Sequence, residues 1–350
     1  MKIVIVGLGS VGQRHARNLR AILGDDLELY ALRKKKRNIV IKEGMIAEEG
    51  DPEKFYSIKP LVDVQDVINI QPEAVFLTNP SSLHAEYAIP IAKQNIPLFI
   101  EKPLSNNLSD LKALQDSVDK GSLIYVGYQL RFHPAFEKIE DILRGQKLGN
   151  IIAAHLQFGE YLPNAHPYED YRQGYAARKE LGGGVLLCFI HELDAAVKLF
   201  GKPDSVYCVA SHSSSLELDV EDCAYILAEH TSGVRRFPVQ ISLDFIQKKK
   251  QRIWNITCEK GSIQWDLVRN VLEIADDSKK ETMVEEFATD RNFAFIEEVR
   301  HFLDCVHTKA LPRVTFEDAR ASLEFAAAAK RSSELGKVIG ISDSFEDQSS

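Results

Sequence analysis

The sequence contains no C-x-x-C pair, although five cysteines are spread over its 350 residues. Neither a disulfide framework nor a zinc ribbon is indicated, and reduced thiols are expected. No apolar run approaches the roughly 20 residues that a spanning helix needs. The apolar start, Met1 to Gly7, is soon followed by Arg14 and Arg17, so no signal peptide is expected. Cytoplasmic residence is the expectation. Positive charge is not in excess: 43 Lys and Arg face 51 Asp and Glu, a net of −8. Broad binding to nucleic acid or to an anionic membrane is thereby excluded, since both need a cationic surface. The histidines lack metal-ligand spacing, and no metal is expected. Internal repeats and low-complexity linkers are also missing.

What is present is an ordinary globular composition, 45% hydrophobic and 27% charged. The length suits about two domains. The first third alternates short apolar runs with helical spacing. Strands are expected at Lys2–Val6, Leu27–Leu32, Ala74–Thr78, Leu98–Ile100 and Leu123–Val126, with helices between them. Strands apolar throughout and separated by helices predict a parallel sheet covered on both faces, an α/β domain over 1–127. After about residue 128 the pattern changes to long strand-like stretches from Ile151 to Trp265, with one helical pattern at Gly184–Leu199 and two closing helices. This predicts an α+β domain over 128–340 with a large, mostly antiparallel open sheet. The acidic, serine-rich end, 341–350, reads as a flexible tail.

Gly7-Leu-Gly9-Ser-Val-Gly12 follows the first strand and opens the first helix. In that context G-x-G-x-x-G is a dinucleotide-binding fingerprint. Gly7, Gly9 and Gly12, with Ser10 and Val11 between them, are expected at the pyrophosphate, where the helix start offers free N–H groups. An NAD-binding strand commonly ends in Asp or Glu, which holds the ribose 2′-hydroxyl. Here the second strand ends in Leu32 and is followed by Arg33-Lys34-Lys35-Lys36-Arg37. Arg33, with Lys34 beside it, suits a 2′-phosphate, so NADP is favoured over NAD.

Two further stretches carry candidate chemistry. Glu101-Lys102-Pro103 follows a buried strand, which puts Lys102 at the carboxyl edge where open α/β sheets bind ligands. Pro103 restricts the backbone beside it. Gly182-Gly183-Gly184 leads into an apolar helix carrying His191, and the glycines would let another molecule approach. Asp194, three positions on, shares the helix face of His191 and would orient the imidazole.

Together these features resemble the glucose–fructose oxidoreductase / inositol dehydrogenase / rhizopine catabolism (Gfo/Idh/MocA) family. The resemblance runs through Val6 to His15, Thr78-Asn-Pro-Ser-Ser-Leu-His84, Glu101-Lys-Pro103, Gly127 to Pro134, the glycine–histidine helix and Ser332 to Lys337. It implies a Rossmann domain, a sheet domain that carries substrate and a homodimer or homotetramer interface, and hydride transfer to or from a carbohydrate-like hydroxyl. It also implies that Lys102 and His191 are catalytic. Asn79, Pro80, His84 and Glu101 would lie along the cofactor, with Gln129 near the nicotinamide. Many relatives carry an Asp just before the histidine, where Cys188 stands here, so Cys188 is read as a small buried residue.

Substrate contacts are expected from Arg131 and His133 after the last Rossmann strand, from Asp194, and from the aromatic and basic segment containing Tyr161, Tyr171 and Arg172. That segment suits a sugar, and its cations suit an acidic or nucleotide-linked one of surface-polysaccharide metabolism. Two rival expectations are a non-catalytic Rossmann-type ligand sensor and a reductase of a linear tetrapyrrole or imine.

Overall fold

The computed structural model describes residues 1–35 and 37–341. Lys36 of the basic run, and the expected tail beyond Ile341, lie outside the described residues. The chain divides into two compact units. One is Met1–Gln129 with Phe295–Arg320; the other is Leu130–Ala294 with the chain from Ala321 onward.

The first unit is built on six strands: β1 (Lys2–Val6), β2 (Glu28–Leu32), β3 (Lys59–Leu61), β4 (Ala74–Leu77), β5 (Leu98–Glu101) and β6 (Ile124–Gly127). All pair in parallel. Their order across the sheet is β3-β2-β1-β4-β5-β6. Every residue of β4, β5 and β6 is buried, as the continuous apolar runs require. Helices α1 (Ser10–Leu23), α2 (His84–Ala92) and α3 (Leu111–Val118) belong to this unit. The order reverses direction at β1, and the carboxyl ends of β1 and β4 flank that point.

The second unit holds helix α4 (Pro134–Arg144), helix α5 (His191–Phe200) and nine strands. The strands are β7 (Ile151–Gly159), β8 (Ser205–Ser211), β9 (Cys223–Ser232), β10 (Arg235–Asp244), β11 (Gln251–Cys258), β12 (Gly261–Asp266), β13 (Val271–Asp276), β14 (Glu281–Glu286) and β15 (Ile339–Gly340). Their order is β14-β13-β12-β11-β7-β10-β9-β8-β15. Within this sheet only the β7–β10 pair is parallel among the described strands. Burial alternates along β9: Ala224, Ile226 and Ala228 face inward, while Tyr225 and Leu227 are exposed. The inner face packs the crossed rings of Trp254 and Trp265, 5.0 Å apart. The helix expected over 184–199 is broken. A short turn, Val185–Cys188, ends where Phe189 takes φ −105° and ψ 29°, and α5 begins at His191.

The chain closes with α6 (Phe293–Thr308) and α7 (Phe316–Leu335). The sequence pattern put both in the second domain, but residues Phe295–Arg320 group with the first unit. The cause is aromatic packing. The Phe302 ring lies 5.4 Å from Phe76, 5.4 Å from Phe99 and 5.5 Å from Tyr125, and it is fully buried. Phe302→Ala is expected to destabilise the protein by about 3–5 kcal/mol, as a lost transfer term plus a cavity. A urea midpoint within error of wild type would show that α6 does not complete this core.

Candidate functional site

The first unit turns sharply between β1 and α1. Gly7 has φ +95°, and its N–H donates to the carbonyl of Leu32 at 2.9 Å. A Cβ on Gly12 would lie 2.2 Å from the Gly7 carbonyl oxygen, so no side chain fits between turn and helix. The Thr78 hydroxyl donates to that same oxygen at 2.6 Å. Gly9 is the opposite case: a Cβ there would meet nothing within 4 Å. It caps α1 without a side-chain bond, and the first turn, with Ser10 and Val11, has no acidic residue. Open backbone N–H groups at a helix start, with no carboxylate to repel an anion, suit a pyrophosphate. Beside the turn, both side-chain amide atoms of Asn79 are sealed from solvent and have no partner among the described residues. These residues fit a dinucleotide.

Lys102 follows the last residue of β5 and is half-buried, and the Lys102–Pro103 peptide is cis. Two buried residues hold its surroundings. His84, at the start of α2, places Nδ1 2.9 Å from the Pro103 carbonyl and Nε2 3.0 Å from the Asn79 carbonyl. Burial pushes its pKa down, and the two carbonyls offset this only in part. The neutral imidazole carries one N–H, so it serves one carbonyl at a time. His84 lies between the Pro103 and Asn79 carbonyls and bridges the end of β4 and the Lys102 loop. Glu101 is also held within the fold. Its carboxylate accepts from His15 Nε2 at 2.7 Å, deep between α1 and β5. Burial pushes its carboxyl up, but the His15 hydrogen bond and charge, with Lys102 and Arg14 nearby, bring it below the ordinary range. His15 was not singled out from the sequence, because nothing local names its partner 86 positions away. Pro80 leads into the turn Ser81–Leu83, and Gln129 lies half-buried in the turn Gln129–Phe132.

Two of the basic residues after β2, Arg33 and Lys34, are held in ion pairs. The Arg33 side chain is only 4% exposed and pairs with Glu53 at 3.1 Å and Asp51 at 3.8 Å. Lys34 pairs with Glu86 at 2.8 Å.

In the second unit, His191 opens α5 and is buried. The neighbouring carboxylates are held by two arginines. Asp194 accepts from Arg131 Nε at 3.0 Å and Nη2 at 2.6 Å, and from the Ser322 hydroxyl at 3.1 Å. Glu192 accepts from Arg252 Nε at 2.6 Å and Nη2 at 3.1 Å. Arg131 and Asp194, expected at the substrate, are 0% and 2% exposed and pair with each other, which pins the helix that bears His191. His133 also serves structure: its Nδ1 accepts from Ala135 N–H and caps α4, and burial pushes its pKa down to about 4.

The glycine run has a packing reason as well. Gly184 has φ +100°, and a Cβ there would lie 2.3 Å from the Glu221 carboxylate, which accepts from Leu186 N–H. Gly184 makes room for Glu221, which no local sequence signal marks, while Gly183 abuts the carbonyls of Tyr175 and Ala176. Cys188 is buried and all five cysteines are free thiols. Along 161–181 the chain forms a series of short turns. Tyr161 lies beneath the Lys248 ammonium, 3.1 Å from its ring centre. The Tyr171 hydroxyl accepts from Glu217 N–H at 3.2 Å, and Arg172 pairs with Asp170 and Glu217. Among the described residues no helix is long and apolar enough to cross a membrane.

A parallel sheet in this order, with this glycine turn, defines a dinucleotide-binding protein of Rossmann type. Comparison with known proteins narrows the class. Residues 1–128 match the Gfo/Idh/MocA oxidoreductase family's NAD-binding Rossmann fold, and residues 140–341 match its C-terminal alpha/beta domain. The chain belongs to this family of NAD(P)-dependent oxidoreductases. It is 28% identical to myo-inositol 2-dehydrogenase of Thermotoga maritima, over 97% of this chain and 100% of that protein. It is 26% identical to scyllo-inositol 2-dehydrogenase (NAD(+)) of Bacillus subtilis, over 97% and 96%. The fold also matches a levoglucosan dehydrogenase in complex with NADH, with TM-score 0.83 and 16% identity over 97% of this chain and 99% of that one.

The two glycine environments predict different failures. Gly12→Ala should lower the melting temperature, because the added carbon has no room. Gly9→Ala should melt as wild type but bind NADH at least about tenfold more weakly by fluorescence titration. Equal behaviour of the two variants would refute this division of roles.

Proposed function

We propose that the protein transfers a hydride between a nicotinamide dinucleotide and a hydroxyl-bearing carbon of a sugar or polyol. One observation carries this reading. The glycine turn, Asn79 and the Lys102 loop form one connected framework in the first unit, joined through His84. The inositol and levoglucosan dehydrogenases among the similar proteins support a polyhydroxylated substrate.

The dinucleotide, when bound, supplies the hydride donor or acceptor. The ammonium of Lys102 hydrogen-bonds the substrate oxygen and stabilises the charge that develops there. His191 takes the hydroxyl proton in oxidation and returns it in reduction. Tyr161 and Tyr171 offer rings to a sugar face. An acidic or nucleotide-linked sugar is less well supported, because Arg172 is paired with Asp170 and Glu217 and Arg178 stands 3.9 Å from Asp219. A neutral polyol or sugar needs no free cation. Neither rival expectation, the ligand sensor or the tetrapyrrole or imine reductase, draws support from the family or from the relatives named. The exposed side chains of Tyr207, Val209, Tyr225 and Leu227 favour a homodimer or homotetramer through the open sheet face. A single-chain mass by light scattering would overturn that assembly.

Lys102→Met and His191→Ala are each expected to cut turnover by about 100- to 10,000-fold. The assay is nicotinamide absorbance with a panel of inositols, aldoses and levoglucosan. NADH affinity of both variants should stay within about twofold of wild type. Unchanged turnover in either variant would overturn its assignment.

A further inference from the structure

We propose that Glu53 sets the choice between NAD and NADP by withholding Arg33 from the ribose 2′-phosphate. This rests on the first unit binding a nicotinamide dinucleotide.

Arg33 is the residue after β2, directly beyond the carbonyl that accepts from Gly7. The side chain at that strand end is the one that meets the adenosine ribose in this fold. A free guanidinium there would bind a 2′-phosphate through two parallel hydrogen bonds. This guanidinium is engaged elsewhere. Nη1 donates to Glu53 at 3.1 Å, Nη2 donates to the Arg37 carbonyl at 2.9 Å, and Asp51 stands 3.8 Å away.

The acid is itself held in place. Asp51 caps the short helix Pro52–Phe55 by accepting from Glu53 N–H at 3.0 Å. Arg33 and Glu53 side chains are 4% and 12% exposed, so the pair is little screened by water. Two carboxylates, Glu53 and Asp51, stand within 4 Å of the guanidinium. A phosphate dianion binding Arg33 must displace them, whereas a 2′-hydroxyl can donate to a carboxylate oxygen. Lys34, the next residue, is paired as well, with Glu86 at 2.8 Å. The carboxylate missing from the end of β2 is thus supplied by a residue 20 positions further on. The expected preference for NADP gives way to NAD.

Removing the Glu53 charge while keeping its shape takes away the nearer of the two carboxylates that hold the guanidinium. A buried cation short of a partner then gains from a phosphate. The test is calorimetric titration of the full chain with 5′-AMP and with adenosine 2′,5′-bisphosphate. Wild type should bind the bisphosphate no more tightly than 5′-AMP. In Glu53→Gln the bisphosphate should tighten by about tenfold or more, with 5′-AMP within about twofold. Adding Arg33→Ala to Glu53→Gln should abolish the gain. A wild type that already favours the bisphosphate tenfold overturns the proposal without any variant. So does a gain that survives loss of Arg33, or a Glu53→Gln protein in which neither affinity moves. If wild type binds neither nucleotide, the dinucleotide reading itself fails, an outcome distinct from equal binding of both.

Discussion

An added carbon on Gly12 would sit 2.2 Å from the carbonyl oxygen of Gly7, and the first unit is arranged around that close approach. Because helix and turn touch backbone to backbone, α1 starts directly above the end of β1. The Thr78 hydroxyl then holds the Gly7 carbonyl, which brings the end of β4 against the turn. From β4 the framework continues through Asn79 and His84 to Pro103, and from α1 through His15 to Glu101. Lys102 sits between these last two residues. The position of the lysine is thus set by a glycine contact some ninety positions earlier in the chain.

The second unit uses charge for the same purpose. Two buried carboxylate–arginine pairs, Asp194–Arg131 and Glu192–Arg252, fall on the first turn of α5, beside His191. Breaking such a pair by removing one partner costs roughly 3–5 kcal/mol, because a buried charge is left alone. Bidentate geometry also fixes direction as well as distance. The histidine is therefore carried on a helix whose rotation is locked at two points.

The architecture was legible where pattern is local. Apolar runs between helices announced the parallel sheet, and the glycine spacing announced the turn. Elements without an apolar signature escaped. β14, Glu281–Glu286, is an exposed edge strand of mostly polar residues, and β3, Lys59–Leu61, is three residues with a proline at its centre. The pairings of charged residues are not legible for a different reason. Arg131, Glu101 and Arg33 read as ligand contacts in a sequence, which shows a charge but not its distant partner. Asp194, His15 and Glu53 are those partners, at separations of 63, 86 and 20 positions. In the glycine run before Cys188, Gly184 abuts Glu221 and Gly183 abuts backbone carbonyls, neighbours that the sequence alone does not reveal.

Phe302 reaches the first unit only after eight of the second sheet's nine described strands, β7 to β14, have passed along the chain. Rings that touch it, Phe76 and Phe99, are separated from it by more than two hundred residues. During synthesis the amino-terminal unit emerges early but lacks a central piece of its core until the chain is nearly finished. Its folding cannot be completed as an independent first step, and closure of that long loop carries an entropic cost that short-range contacts do not. The order of synthesis and the order of assembly are thereby uncoupled: the unit begun first waits for a helix made near the end of the chain.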